Sequence, residues 1–196
     1  MNEKLNRRLS LAGLELIEIQ AISVTLPPDP IWMVSACGEQ DGAVDSFFDF
    51  SQADLINAAN RAWFKMAQEI GLIGVDREFL LSIDLADEGE SSVLRWARVR
   101  LGEDWDVMGA GTESGTFGGP RGRPGFVMLS VDGSSAIAGM TWEGEGVIAI
   151  RGIPDLYRAR PVVRSVTRML ARDSLSPEER ESLSRWISTG QAGIPD

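Results

Sequence analysis

The chain has 196 residues, a formal net charge of −10, no histidine and one cysteine. That inventory excludes Ser-His-Asp and Cys-His catalysis, His- or thiolate-ligated zinc and an internal disulfide, and it removes the commonest general base near neutral pH. The acidic balance opposes nucleic acid and anionic membrane surfaces, and no apolar run approaches the ~18 residues of a membrane-spanning helix.

The N-terminal Lys4, Arg7 and Arg8 precede apolar residues, but Glu15 and Glu18 interrupt what would be the apolar stretch of a signal peptide. A cytoplasmic protein is expected. It reads as one domain over residues 1–189 with a flexible tail, 190–196. "LELIEIQAISVTL" (14–26) is rich in β-branched residues and reads as a long strand. Its alternation changes face near Glu18, which predicts a bulge. "IWMVSAC" reads as a second strand after a Pro-rich connection. Cys37, inside that apolar run, is expected to be a buried small hydrophobe.

"FSQADLINAANRAWFKMAQEIG" carries the clearest helical pattern. Leu55, Ala59, Ala62, Trp63, Met66 and Ile70 share one face, Ser51 is placed to cap, Phe50 and Leu55 to staple, and Gly71 to stop the helix. "EFLLSIDLA" and "VLRWARVRL" read as strands around an acidic turn, and "WDVM" as a short strand. "FVMLSV" and "SAIAGMTWE" form a hairpin through Asp132-Gly133, and "EGEG" turns the chain into the strand "VIAIRG". Two helices close the chain. The second has Ser176, Pro177 and Glu179 in the pattern of a capping box. Strands do not alternate with helices, so the expected class is α+β. It would have an antiparallel sheet of about six or seven strands, a central helix on one face and a C-terminal helical pair, 160–189.

Between two strands lies "GAGTESGTFGGPRGRPG" (109–125). Its glycines come within one residue of a dinucleotide fingerprint, but that fingerprint needs a helix N-terminus next to the phosphates. The following Gly and Pro residues argue against one. The segment reads as a connection, or as a loop that grips a partner through Phe117, Arg121 and Arg123. The second candidate surface is basic. Residues 151–196 carry eight arginines against six acids, the only basic quarter of the chain. Arg160, Arg164, Arg168 and Arg172 recur every four residues, one helical face that could pair with the protein's own carboxylates or with an acidic partner. A helix-turn-helix reading fails because Glu178, Glu179 and Glu181 would stand where DNA phosphates must be met.

Acid–aromatic clusters at Glu103–Asp106 and Trp142–Glu145 are too easily produced in so acidic a chain to signal glycosidase chemistry. Asp84, Asp87, Glu88 and Glu90 do not have the spacing of an EF-hand. The expected function is a non-catalytic protein-binding module: an accessory subunit, adaptor, chaperone or toxin-neutralising partner. It would need no cofactor or metal and would contact another protein or a second copy of itself. The alternative is a small-molecule site or carboxylate-based enzyme, with a pocket of Trp96, Trp105 and Trp142 under the glycine-rich loop.

Overall fold

The structure is a computed structural model that describes residues 2–19, 26–85, 94–118, 123–142 and 144–192. Seven strands form one antiparallel sheet: β1 (Leu14–Ile19), β2 (Val44–Asp49), β3 (Glu78–Asp84), β4 (Leu94–Leu101), β5 (Phe126–Leu129), β6 (Ala136–Trp142) and β7 (Val147–Ile153). Their spatial order is β1-β4-β3-β5-β6-β7-β2, so β1 and β2 are the edges. The helices are α1 (Asn2–Leu11), α2 (Pro28–Ile31), α3 (Leu55–Glu69), α4 (Ala110–Glu113), α5 (Arg160–Leu170) and α6 (Pro177–Ala192). The α+β class and the antiparallel sheet are as the sequence predicts.

The helices lie on both faces of the sheet rather than one. β3 makes the reason visible, since every residue from Glu78 to Ile83 is buried. Successive side chains point to opposite faces. Phe79, Leu81 and Ile83 join a core under α3 with Trp63 and Met66. Leu80 joins a second core with Trp96, Val162, Val166, Leu183 and Trp186, beneath α5 and α6. Trp63 centres the first core. Its ring stands edge-on to Phe79 and Trp105, at 6.2 and 5.2 Å between centroids, and its indole N–H donates to Met128 Sδ.

Local signals explain most element ends. The β1–β4 register slips between Leu16 and Glu18, the expected bulge. α3 stops at Gly71, whose φ is 73°. The Leu72 N–H bonds Ala67 C=O and the Gly71 N–H bonds Gln68 C=O, the paired pattern of a left-handed helix stop. In the β5–β6 hairpin, Gly133 takes a φ of 76° and its N–H bonds Ser130 C=O. The α6 capping box forms: Glu179 N–H donates to Ser176 Oγ, and Ser176 N–H donates to Glu179 Oε2.

Other expectations are corrected. α3 begins at Leu55, not after Ser51, because the Ser51 hydroxyl and N–H are both spent on Asp49 Oδ1. "IWMVSAC" is not a strand. α2 and a 3₁₀ segment, Trp32–Ala36, occupy it. "WDVM" is a turn leading into α4. α6 runs through Ala192, so the first residues of the expected tail are helical. The second half of "LELIEIQAISVTL", up to Thr25, lies outside the described residues, as do Asp87, Glu88 and Glu90.

Candidate functional site

α5 is an amphipathic helix whose Val162, Val166 and Met169 are buried. Arg160, Arg164 and Arg168 stand on its exposed side. The 3₁₀ segment and the turn after it run alongside. Between the two walls lies an open groove of about 430 Å³, lined by Met33, Ala36, Gln40, Asp41, Arg160, Pro161, Arg164, Ser165 and Arg168.

Two arginines hold the second wall in place. Arg151 on β7 forms a forked pair with Asp45 on β2, Nε to Oδ1 and Nη2 to Oδ2, both 2.7 Å, and its Nη1 donates to Ser35 C=O at 2.8 Å. Arg160 reaches the other end. Its Nε and backbone N–H both donate to Asp41 Oδ1, at 3.1 and 3.3 Å, while Gly38 N–H donates to Oδ2. The Asp41 side chain is only 2 % exposed. The Gly38 N–H, acting against burial and aided by Arg160, holds its carboxyl below the usual range. The residue before α5, Ala159, has no side chain able to cap, so Asp41 satisfies the first helical N–H from 119 residues away. Cys37 lies beside this pair. Burial, with the nearby Asp41 charge, pushes its thiol up to about 11. It is the buried residue expected from its apolar context.

Arg164 and Arg168 are left over. Among the described residues neither forms an ion pair or a side-chain hydrogen bond. The reading in which the whole arginine stripe neutralises internal carboxylates therefore holds for Arg160 and fails for these two. Arg172 falls beyond the end of α5, where its carbonyl accepts from Arg180. It is exposed but outside the groove.

The glycine-rich segment is built differently from its expected role. Phe117 is fully buried and packs edge-on against Phe126, at 5.4 Å between centroids. As a core residue it cannot serve as the loop's exposed anchor. Arg123 lies over the Phe50 ring at 4.7 Å. Arg121 lies outside the described residues. A single helical turn, α4, does form after Gly109, and its first N–H groups already have an anion: Asp106 accepts from Gly109 and Ala110. Asn60 on α3 donates to the same carboxylate. Burial would raise the Asp106 pKa, but the Ala110, Asn60 and Gly109 donors outweigh it and hold the carboxyl low.

The three tryptophans of the alternative pocket do not meet. Trp96 lies in the core beneath α5 and α6, its indole N–H donating to Leu26 C=O. Trp105 stacks on Phe64 on the α3 side of the sheet. Trp142 sits at the end of β6 beside Phe47 of edge strand β2, 5.5 Å between centroids. Among the described residues no group of three His, Cys, Asp or Glu could hold a metal ion, and no helix is long and apolar enough to cross a membrane. No protein-family model, curated protein or solved structure matches the chain.

Sequence reading found the arginine stripe but missed the wall opposite. The available signal was "PPDP". Pro28 at a first helical position followed by Asp29 is a helix-start pattern, and it outranks the β-branched character of the apolar run behind it.

Proposed function

We propose that the protein is a non-catalytic, cytoplasmic binding module that docks an acidic segment of another protein in the α5 groove. The observation that carries this reading is the contrast among its arginines. In a chain of net charge −10, Arg151 and Arg160 are consumed by architecture, while Arg164 and Arg168 face a groove with their guanidinium donors unspent. A guanidinium carries five N–H donors suited to carboxylates. Holding two of them side by side without a counter-charge costs stability through their mutual repulsion, and a bound anionic partner relieves that cost.

The test is site-specific. A photo-crosslinking amino acid placed at Ser165, between the two arginines, is activated in the native cell, and the captured peptide is mapped by mass spectrometry. The expected capture is a segment with clustered Asp and Glu that is lost in an Arg164→Glu, Arg168→Glu variant of unchanged melting temperature. Capture that survives the double substitution, or a captured segment without acidic residues, would sink the reading.

A further inference from the structure

We infer that the occupant of the α5 groove is an α-helical segment of the partner, carrying two carboxylates one turn apart. This rests on the reading of the groove as a protein-docking site and adds the shape of what it takes.

Arg164 and Arg168 stand four residues apart on α5, a rise of about 6 Å. A ligand helix with acids at i and i+4 presents the same interval. Alternate residues of an extended strand, at about 6.7 Å, match it nearly as well, so spacing alone does not decide.

The backbone decides. An extended segment gains affinity chiefly by pairing its main chain with an exposed strand edge. This groove has none. One wall is α5, whose amides are bonded within the helix or, at Arg160, to Asp41; the other is the 3₁₀ segment and the turn after it, likewise turned inward on itself. The sheet edges, β1 and β2, do not line it. A ligand that desolvates its backbone here must arrive with its own hydrogen bonds satisfied, and a helix does that.

The apolar part of the lining suits a helix as well: Met33 and Ala36 stand on the 3₁₀ wall and Pro161 on α5. Gln40 and Ser165 add neutral polar groups. Asp41, the only carboxylate among the described lining residues, is already bonded to Gly38 and Arg160 and is nearly inaccessible, so it does not compete for Arg164 and Arg168. A helix with acids at i and i+4 carries its i+3 and i+7 side chains on the same face. An apolar residue at either position would rest on Met33 and Ala36, and the soft Met33 side chain would adapt to it.

The experiment uses the full chain and three fluorescein-labelled 16-residue peptides at 100 mM NaCl, read by fluorescence anisotropy. The first is an Ala-rich helix with Glu at i and i+4 and Leu at i+3. The second places its two Glu at i and i+2 and replaces a central Ala by proline, which prevents a helix. The third is the first with Gln for Glu. The helical acidic peptide should bind at least tenfold tighter than either control, and lose at least tenfold with Arg164→Ala, Arg168→Ala. Equal binding of the proline peptide, still sensitive to the two arginines, would overturn the helical shape and leave the acidic-partner reading standing. Equal binding of the Gln peptide, or indifference to the arginine substitutions, would overturn both.

Discussion

Replacing Asp41 by alanine tests whether the groove's second wall is held as described. The substitution removes the acceptor of three donors: Gly38 N–H, Arg160 N–H and Arg160 Nε. The Arg160 side chain is 66 % exposed, so its guanidinium rehydrates and the lost bond costs little. The two backbone N–H groups are different, because one starts a 3₁₀ turn and the other starts α5 in a partly buried setting. Losing a cap costs about 1 kcal/mol and stranding a buried donor about 1–3 kcal/mol, so a total of about 2–4 kcal/mol is expected at pH 7. The pH dependence carries a sign. The folded carboxyl titrates below the ordinary aspartate range, so its ionised form stabilises the fold at and above that range. The stabilisation fades as pH falls through the depressed folded value. Urea unfolding followed by tryptophan fluorescence should therefore show a deficit at pH 7 that shrinks toward pH 2.5. Asp41→Asn keeps one acceptor oxygen and should fall between wild type and alanine. A deficit below about 0.5 kcal/mol at pH 7, or one that does not change with pH, would refute the capping role.

Other consequences follow from burial. Phe117→Ala should cost about 3–5 kcal/mol, the usual loss for a fully buried aromatic, measurable as a lowered urea midpoint; a flexible loop residue would cost almost nothing. Gly139→Ala should destabilise strongly, because a Cβ there runs into the Phe126 ring on the paired strand; an unchanged melting temperature would contradict the packing. The Cys37 thiol, buried and raised to about 11, should stay silent to an aromatic disulfide reagent at pH 8 and react once per chain in denaturant. Fast labelling of the native protein would show that the wall opens.

Features decided by neighbours in the chain were legible before the fold was known. The bulge near Glu18, the stop at Gly71, the Asp132-Gly133 hairpin and the Ser176–Glu179 cap each depend on a few adjacent residues. Features decided by distant partners were not. α1 has Leu5 and Leu9 on one face and an exposed Leu11 at its end within an otherwise polar stretch, too little periodicity to stand alone until Leu9 meets the core. The glycine-rich composition of residues 109–125 concealed that Phe117 is core, because its burial is set by its packing with Phe126 and the rest of the core, which the local composition does not show. The candidate site divides the same way. A period of four marked Arg160, Arg164, Arg168 and Arg172 as one face. Which of them were spoken for depended on Asp41, which is remote in sequence and belongs to a segment whose apolar run reads equally well as a strand.

The charge of the whole molecule and the charge of the groove act on an acidic ligand with opposite signs, and salt separates them. At about 10 mM salt the Debye length is near 30 Å, so an approaching acidic helix feels the entire −10 chain and is repelled. At about 100 mM it is near 10 Å, and the ligand at the groove feels chiefly Arg164 and Arg168. At about 1 M it is near 3 Å and the local attraction is screened as well. Affinity for the helical acidic peptide should therefore rise from 10 to about 100 mM NaCl and fall again toward 1 M. A simple anion-binding patch on a basic protein would lose affinity monotonically. Anisotropy titrations across that range distinguish the two. A steady decline from the lowest salt would mean that the net charge does not reach the groove, and a flat profile would mean that its arginines do not carry the binding.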